Sequence, residues 1–227
     1  MFKHLDLELS PDLKTKNKDG NRYYVTPSGE LYPSVTTITS QLTKEGIKAW
    51  RKRVGEKEAN KISRQASARG TKVHKLCEDY INNDEIDFSK VLPDQHFMFK
   101  QIRPELDDNL QGVYGCELAL YSDFLKVAGR VDCVGIWNGK ASIIDFKTST
   151  KAKRPEYISN YFMQEAAYAV MFEERYKIPV SQLVTLIAVE QSEHQIFIEK
   201  RDDWIHDFQK LRGFGRHLLD YWISFFT

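Results

Sequence analysis

The sequence predicts an α+β (α/β) domain in which a mixed central β-sheet is flanked by helices. Three observations predict it. Strand-like apolar segments occupy 113–122, 126–137 and 140–147. An amphipathic helical pattern over 156–176 separates them from further strand-like sequence. Before the first of these strands, the sequence is basic and has helical periodicity. The predicted fold therefore includes a basic helical N-terminal portion.

The N-terminal elements are predicted from residue type and periodicity. Residues 22–39 alternate aromatic and β-branched side chains around a Pro-Ser-Gly turn, which predicts a hairpin. Helical periodicity then covers 43–62 and 63–82, and a further helix is expected to begin at Pro93.

The remaining elements follow in order. Asn138-Gly139 is a typical two-residue hairpin turn, so the strands on either side of it are expected to pair. Further strands are expected at 183–190 and 195–200. The whole chain, 1–227, is predicted to be one domain with an N-terminal hairpin (about 1–40), a basic helical portion (43–110), a sheet-and-helix portion (112–200) and a C-terminal helix (202–227), in which Leu218 is available for burial.

Charge is unevenly distributed along the chain. The net charge is only +1. Between Lys44 and Lys75, however, eleven basic residues face three glutamates. This local excess of positive charge can attract a phosphate backbone.

Cysteine usage and the N-terminus indicate the compartment. The three cysteines contain no CxxC pair, which argues against a disulfide framework or a zinc site. The first residues include acids and no sustained apolar segment, so neither a secretory signal nor a transit peptide is expected. No apolar stretch approaches the roughly 20 residues of a transmembrane helix. A soluble, intracellular protein without membrane contact is expected.

Two acids and a lysine form the strongest chemical pattern. Asp145 and Lys147 share one face of a strand, about 6–7 Å apart, and the predicted hairpin brings Asp132 alongside. Phosphodiester cleavage needs a carboxylate to hold Mg²⁺ and a lysine to position water or offset phosphate charge. A lone aspartate here would more simply be a solvent-facing acid, but the combination predicts a nuclease.

Other candidates have simpler alternatives. His74, Glu78 and Thr71 share a helix face, which is either a salt-bridged surface or a source of a metal ligand; a histidine also favours tolerance of Mn²⁺. Glu117 is either a surface glutamate or directs a metal or water.

Helical residues add candidate nucleic-acid contacts. Gln164 and Tyr168 could hydrogen-bond DNA phosphate or the strand-end Lys and Asp, or could form a buried face with polar tips. Trp50 could stack on an unpaired base while Arg51 and Arg53 hold phosphates, or it could be a core residue of its helix.

Taken in order, these motifs resemble the RecB-type branch of the PD-(D/E)xK nuclease superfamily. The matching segments are His74, Gly129-Arg130-Val131-Asp132, Asp145-Phe146-Lys147 and Gln164-x-x-x-Tyr168. Within that branch the chain is most similar to exonucleases of the mitochondrial genome maintenance type and their phage or bacterial relatives, through Pro33-Ser34-Val35-Thr36 and Arg69-Gly70-Thr71-x-x-His74. The resemblance covers about 32–190, and Val131 stands where the nominal motif has proline.

The resemblance implies a restriction-endonuclease-like fold and a role for each site residue. His74, Asp132, Asp145 and the Phe146 backbone carbonyl would hold one or two Mg²⁺ or Mn²⁺ ions. Lys147 would be catalytic, and Glu117 would assist a second metal or the water. The resemblance implies support of the site or the substrate by Gln164 and Tyr168, and contact with DNA phosphate by Ser34 and Thr36. Support of the site or contact with DNA is also expected from Trp50, Arg51, Arg53, Arg69 and Thr71.

The implied activity is that of a metal-dependent DNA exonuclease acting on free single-stranded ends in replication, recombination, repair or turnover. Partners would be DNA and replication or recombination proteins, with the protein itself a monomer. With three scattered cysteines, no iron–sulfur cluster is expected. Bacterial or phage-infected cytoplasm is the expected location. The alternatives are a structure-specific endonuclease on the same fold and a non-catalytic DNA-end-binding module.

Overall fold

A five-stranded mixed sheet forms the centre of the computed structural model, which describes residues 1–213. Its strands lie side by side in chain order, and one adjacent pair, the third and fourth strands, is parallel while the others are antiparallel. The predicted mixed sheet flanked by helices is therefore confirmed. The strands are β4 (Leu110–Ser122), β5 (Val127–Trp137), β6 (Lys140–Ser149), β7 (Gln182–Val189) and β8 (Gln195–Lys200).

A tight turn joins β5 to β6. Asn138 has φ 48° and Gly139 has φ 79°. Positive φ at both central residues is the mark of a type I′ turn, whose twist matches that of paired strands. Trp137 and Lys140 are consequently direct partners, and the pairing runs back to Cys133 opposite Ile144.

Helices cover both faces of this sheet. One long helix crosses from β6 to β7 and contacts β4 to β7 on one face, while two earlier helices pack on the other face. A helical crossover is the usual way to connect parallel strands. The helices are α1 (Val35–Thr39), α2 (Lys44–Val54), α3 (Glu56–Ile81), α4 (Pro93–Asn109), α5 (Ser159–Tyr176) and α6 (Arg201–Arg212).

The sheet separates two apolar cores. Ile143 packs in the core with Phe172 of α5, whereas Ile144 packs in the opposite core with Phe99 and Ile102 of α4. Successive residues of a strand face opposite sides, and both sides are covered here. This explains why β6 has an unbroken apolar segment rather than an alternating one.

A second, three-stranded antiparallel sheet lies at the N-terminus, formed by β1 (Thr15–Lys18), β2 (Asn21–Val25) and β3 (Leu31–Pro33). The predicted hairpin extended to residue 39, but the segment after Pro33 is helical. Ser34 Oγ accepts a hydrogen bond from the Thr37 backbone N–H at 3.0 Å and so caps α1.

Two helix boundaries differ from the sequence prediction. The break expected near residue 62 lies instead at Gly55, where φ is 86°. A positive φ suits glycine, and from Glu56 the chain continues as one 26-residue helix, α3. The predicted C-terminal helix begins at Arg201, and its expected continuation, including Leu218, lies outside the described residues.

The helices described within residues 1–213 are each too short or too polar to cross a membrane.

Gly129 of β5 permits a close approach by α5 and provides a stability test. A Cβ at this position would lie 2.7 Å from Tyr168 Cε1. We expect Gly129→Ala to destabilise the protein by roughly 1–3 kcal/mol, the usual cost of overpacking a core. Urea denaturation measures the change.

Gly46→Ala is the matched control for this substitution, since Gly46 lies in α2 and a Cβ there meets nothing within 4 Å. Alanine favours a helix, so this variant should be neutral or slightly stabilised. Equal effects of the two substitutions would contradict the close Tyr168 contact.

Candidate active site

Asp145 and Lys147 of β6 lie together in the interior of the protein. The intervening Phe146 packs in the α3–α4 core, and Lys147 Nζ pairs with Oδ2 of Asp145. Asp145 is only 1% exposed, and its Oδ1 accepts a hydrogen bond from Gln164 Nε2 at 3.1 Å. Lys147 Nζ also lies 5.2 Å from the centroid of the Tyr161 ring. Helix α5 thus supplies partners for both charged groups.

Three other side chains could hold a metal ion. His74, Glu117 and Asp132 each offer one ligand atom, and these atoms lie within 4.8 Å of one another. The pairing of His74 and Asp132 is direct, with Nδ1 to Oδ2 at 3.3 Å. We call these three residues the metal group.

Asp132 connects the metal group to the Asp145–Lys147 pair. The backbone N–H of Phe146 donates to Asp132 Oδ2 at 2.9 Å. Since Phe146 lies between Asp145 and Lys147 on β6, the carboxylate of Asp132 is held at the same level of the sheet as both. The hairpin therefore brings two acids and a lysine from neighbouring strands together.

The backbone of Glu117 explains why its side chain joins the group. Cys116 pairs with Cys133 and Leu118 pairs with Val131, but Glu117 and Asp132 between them are not paired. Glu117 has φ 52°, a left-handed conformation that costs a non-glycine residue about 1–2 kcal/mol. The β4–β5 ladder opens at this point, and both carboxylates lie at the opening. Local backbone strain of this kind is often found at functional sites.

Burial and neighbouring charges shift the ionisation of these groups. Burial raises the pKa of Asp145 to about 6, because loss of solvent around this carboxylate outweighs attraction by Lys147. Burial would also raise the pKa of Asp132, but His74 and Lys147 outweigh it and lower that pKa. Burial, followed by repulsion from Asp132 and Glu78, raises the pKa of Glu117. A cation would relieve the repulsion between these acids.

The donor atoms fit a hard divalent cation. Carboxylate oxygens suit Mg²⁺ and Mn²⁺, and the imidazole of His74 shifts the preference towards Mn²⁺. The metal group differs from the ligand set implied by the sequence resemblance, because Glu117 stands with His74 and Asp132 while Asp145 is paired with Lys147. Recruitment of Asp145 as a further ligand would require Lys147 to release its Oδ2.

The metal group opens into a cleft of about 550 Å³. Its walls come from β2, α3, β4 and β5, and they carry basic as well as acidic side chains. A cleft of this size can take a nucleotide-sized ligand. It is lined by Arg22, Gly70, Thr71, His74, Lys75, Glu78, Glu117 and Arg130.

Several other predicted residues have defined structural contacts. Tyr168 is buried and packs against Gly129. Ser34 is buried as the cap of α1, whereas Thr36 is exposed. Arg69 donates from Nη1 to Glu190 Oε2 at 2.8 Å, which ties α3 to the segment after β7. Contacts of these residues with DNA stay predictions.

The candidate residues of α2 lie on a helix that packs against α3. Arg51 pairs with Glu56 at the start of α3. Trp50 is half-buried and Arg53 is exposed. The main contacts of α2 are with α3 and with the short helical turn before α2.

Tyr161 and Arg130 are two site residues that the sequence did not predict. Tyr161 lies three residues before Gln164, so helical spacing places both on one face of α5. Arg130 Nη1 donates to the backbone carbonyl of Glu117, and its Nε lies 3.9 Å from Glu117 Oε2. Arg130 belongs to the Gly-Arg-Val-Asp motif, but the sequence alone does not show that its side chain reaches the neighbouring strand.

Comparisons with solved structures give weak matches. A candidate exonuclease from Eubacterium rectale is 12% identical, with a TM-score of 0.39, and the match covers 64% of this chain and 64% of that one. The protein SSO0001 is 20% identical, with a TM-score of 0.28, and the match covers 37% and 38% respectively. The chain thus spans less than two thirds of either. No curated protein matches it significantly.

A family model matches more than half of the chain. The model of the PD-(D/E)XK nuclease superfamily covers residues 88–223. That range includes Glu117, Asp132, Asp145 and Lys147, whose arrangement has the carboxylates and lysine that a metal-dependent nuclease requires. The chain belongs to the PD-(D/E)XK nuclease superfamily.

Proposed function

We propose that this nuclease is a metal-dependent DNA exonuclease acting on free single-stranded ends. The observation that carries the proposal is the meeting of Asp132, Asp145 and Lys147 on adjacent strands, beside His74 and Glu117. Hydrolysis of a phosphodiester needs carboxylates for a divalent ion and a cationic group close to the phosphate.

The residues of the metal group would hold the ion at the floor of the cleft. When bound, Mg²⁺ or Mn²⁺ would polarise the scissile phosphate and lower the pKa of an attacking water. His74 and Asp132 offer ligand atoms from α3 and β5, while Glu117 offers one from β4. Because three separate elements contribute, the site depends on the fold rather than on one segment.

Lys147 would act on the phosphate or on the attacking water. Burial would lower its pKa, but the Asp145 and Asp132 carboxylates outweigh burial and raise it, so the side chain stays cationic at neutral pH. Release from Asp145 would free the ammonium to offset charge that develops on the phosphate. Tyr161 and Gln164 hold the two partners in position from α5.

The basic helical region supports nucleic acid as the substrate. Eleven basic residues between Lys44 and Lys75 lie on α2 and α3, and α3 also carries His74. Positive charge on the helix that leads to the metal group would guide a phosphate backbone towards it. The preference for free single-stranded ends rests on the resemblance to RecB-type exonucleases.

Substitution of Lys147 tests its role in cleavage. We expect Lys147→Ala to lower cleavage of end-labelled linear single-stranded DNA at least roughly 10²-fold, because charge stabilisation at the phosphate is lost. Lys147→Gln keeps a hydrogen-bond donor for Asp145 and should be equally inactive while folded. Cleavage is measured in the presence of Mg²⁺, Mn²⁺ or EDTA, and circular single-stranded DNA is tested in parallel as a substrate without ends.

The matched control is Lys140→Ala, an exposed lysine at the start of the same strand, which should cleave at the wild-type rate. Full activity of folded Lys147→Gln would overturn the assignment of the lysine. Cleavage of the circle would identify an endonuclease, and binding without cleavage would identify an end-binding module.

Stabilisation by Mn²⁺ tests the assignment of the metal group. Mn²⁺ at about 100 times its dissociation constant should stabilise the wild-type protein by roughly 2.7 kcal/mol, which thermal denaturation records. His74→Ala and Glu117→Gln should each lose most of this stabilisation. Without metal, Glu117→Gln should melt at or above the wild-type temperature, because repulsion from Asp132 and Glu78 is removed.

Glu85→Gln, which changes an exposed acid outside the group, is the control and should respond to Mn²⁺ like the wild-type protein. An undiminished Mn²⁺ response in both His74→Ala and Glu117→Gln would exclude this set of ligands.

Charge reversal on α2 tests the role of the basic helices in DNA binding. Replacing exposed Lys52 and Arg53 of α2 by glutamate should weaken binding of single-stranded DNA roughly tenfold at low salt. The slope of log K against log salt should shrink by about 0.7 for each lost phosphate contact. Fluorescence anisotropy measures both quantities.

Glutamate substitutions at Lys16 and Lys18 change the same charge on β1 and should have a smaller effect. An identical loss of affinity in the two double variants would mean that net charge, and not the surface of α2, governs binding.

A further inference from the structure

The three cysteines converge beside the metal group, although they are far apart in sequence. Cys77 lies one helical turn after His74, Cys116 directly precedes Glu117 and Cys133 directly follows Asp132. All three contribute to the same apolar core under the sheet, and all are free thiols. Each metal-group residue therefore has a thiol next to it or one turn away.

Cys116 and Cys133 have the geometry of a cross-strand thiol pair. They are direct partners in the antiparallel β4–β5 ladder, and both lie in the same apolar core. Directly opposed residues have Cα atoms about 4.5–5.5 Å apart, within the roughly 4.4–6.8 Å range that a disulfide spans. Cys77 belongs to α3, so it has no such backbone partnership with either.

The two cysteines differ in solvent exposure. Cys133 is fully buried, whereas Cys116 is partly exposed, and the following residue, Glu117, lines the cleft. A small oxidant can therefore reach Cys116 first, and the only thiol aligned with it across the strands is Cys133.

We propose that Cys116 and Cys133 form a reversible disulfide when a peroxide oxidises the protein, and that this bond disables the metal group. The Cys116 sulfur attacks a peroxide oxygen, the O–O bond breaks, and a sulfenic acid and water form. The Cys133 sulfur then attacks the Cys116 sulfur, the S–O bond breaks and a second water leaves. Two thiols are oxidised to one disulfide while hydrogen peroxide is reduced to two waters.

The consequence for the metal group follows from the backbone. A disulfide draws two Cβ atoms to about 3.8 Å, immediately beside the place where the ladder opens around Glu117 and Asp132. Glu117 already has a left-handed backbone, so movement of β4 against β5 displaces its carboxylate from Asp132. The loss of nuclease activity rests on the proposed function, whereas the disulfide and the loss of Mn²⁺ affinity are measured independently of it.

In the test, the full chain is treated with hydrogen peroxide and the remaining thiols are alkylated. Peptides are then mapped by mass spectrometry without reduction, so that any disulfide stays intact. We expect a peptide pair joined through Cys116 and Cys133. The Mn²⁺ concentration for half-maximal thermal stabilisation should rise at least tenfold and should recover with dithiothreitol. DNA cleavage should fall and recover in parallel.

Two variants that lack the Cys116 thiol, Cys116→Ser and Cys116→Ala, should form no crosslink. Each should keep its Mn²⁺ affinity after peroxide treatment. Cys77→Ser should still form the crosslink and lose Mn²⁺ affinity. A crosslink to Cys77 instead, no crosslink at all, or a crosslink with unchanged Mn²⁺ affinity would overturn the proposal. If the reduced protein cleaves no DNA while the crosslink and the Mn²⁺ change both occur, the exonuclease assignment fails and the thiol switch stands.

Discussion

The charge of Asp145, buried at the centre of the sheet, is the constraint on which the rest of the structure depends. An isolated buried carboxylate costs several kcal/mol. Lys147 supplies the countercharge, and Gln164 supplies a hydrogen bond from the other side. The parallel β6–β7 pair and the crossover helix α5 hold these partners around the carboxylate. A buried acid at this position costs stability, and under the proposed function it would serve phosphodiester cleavage.

The interruption of β4–β5 pairing at Glu117 and Asp132 is the second feature that determines the geometry of the site. With regular alternation through this point, Glu117 and Asp132 would face the side of the sheet opposite to Cys116 and Cys133, away from the core that those cysteines share with α3. The left-handed backbone at Glu117 breaks the ladder for one residue, and both carboxylates meet His74 there. Cys116 and Cys133 pair with each other on one side of this opening and keep the strands together up to its edge, so they are well placed to alter it.

The local features of the site were predictable because they depend on a few adjacent residues. Strand alternation places Asp145 and Lys147 together, and the Asn-Gly turn pairs their strand with that of Asp132. The mixed sheet flanked by helices was predictable for the same reason, since apolar periodicity is a local property. The helix boundary at Gly55 was missed because a single glycine overrides a periodic pattern that continues on both sides of it.

The sequence by itself determined the family, the order of the elements and the chemical types needed for metal-dependent hydrolysis. Only the tertiary structure decided which side chains meet. It placed Glu117 with His74 and Asp132, paired Asp145 with Lys147, and brought together cysteines that look scattered along the chain. These contacts depend on strand register, on one left-handed residue and on the packing of α3 and α5. Such long-range relations are set by the whole core and are not encoded in any one segment.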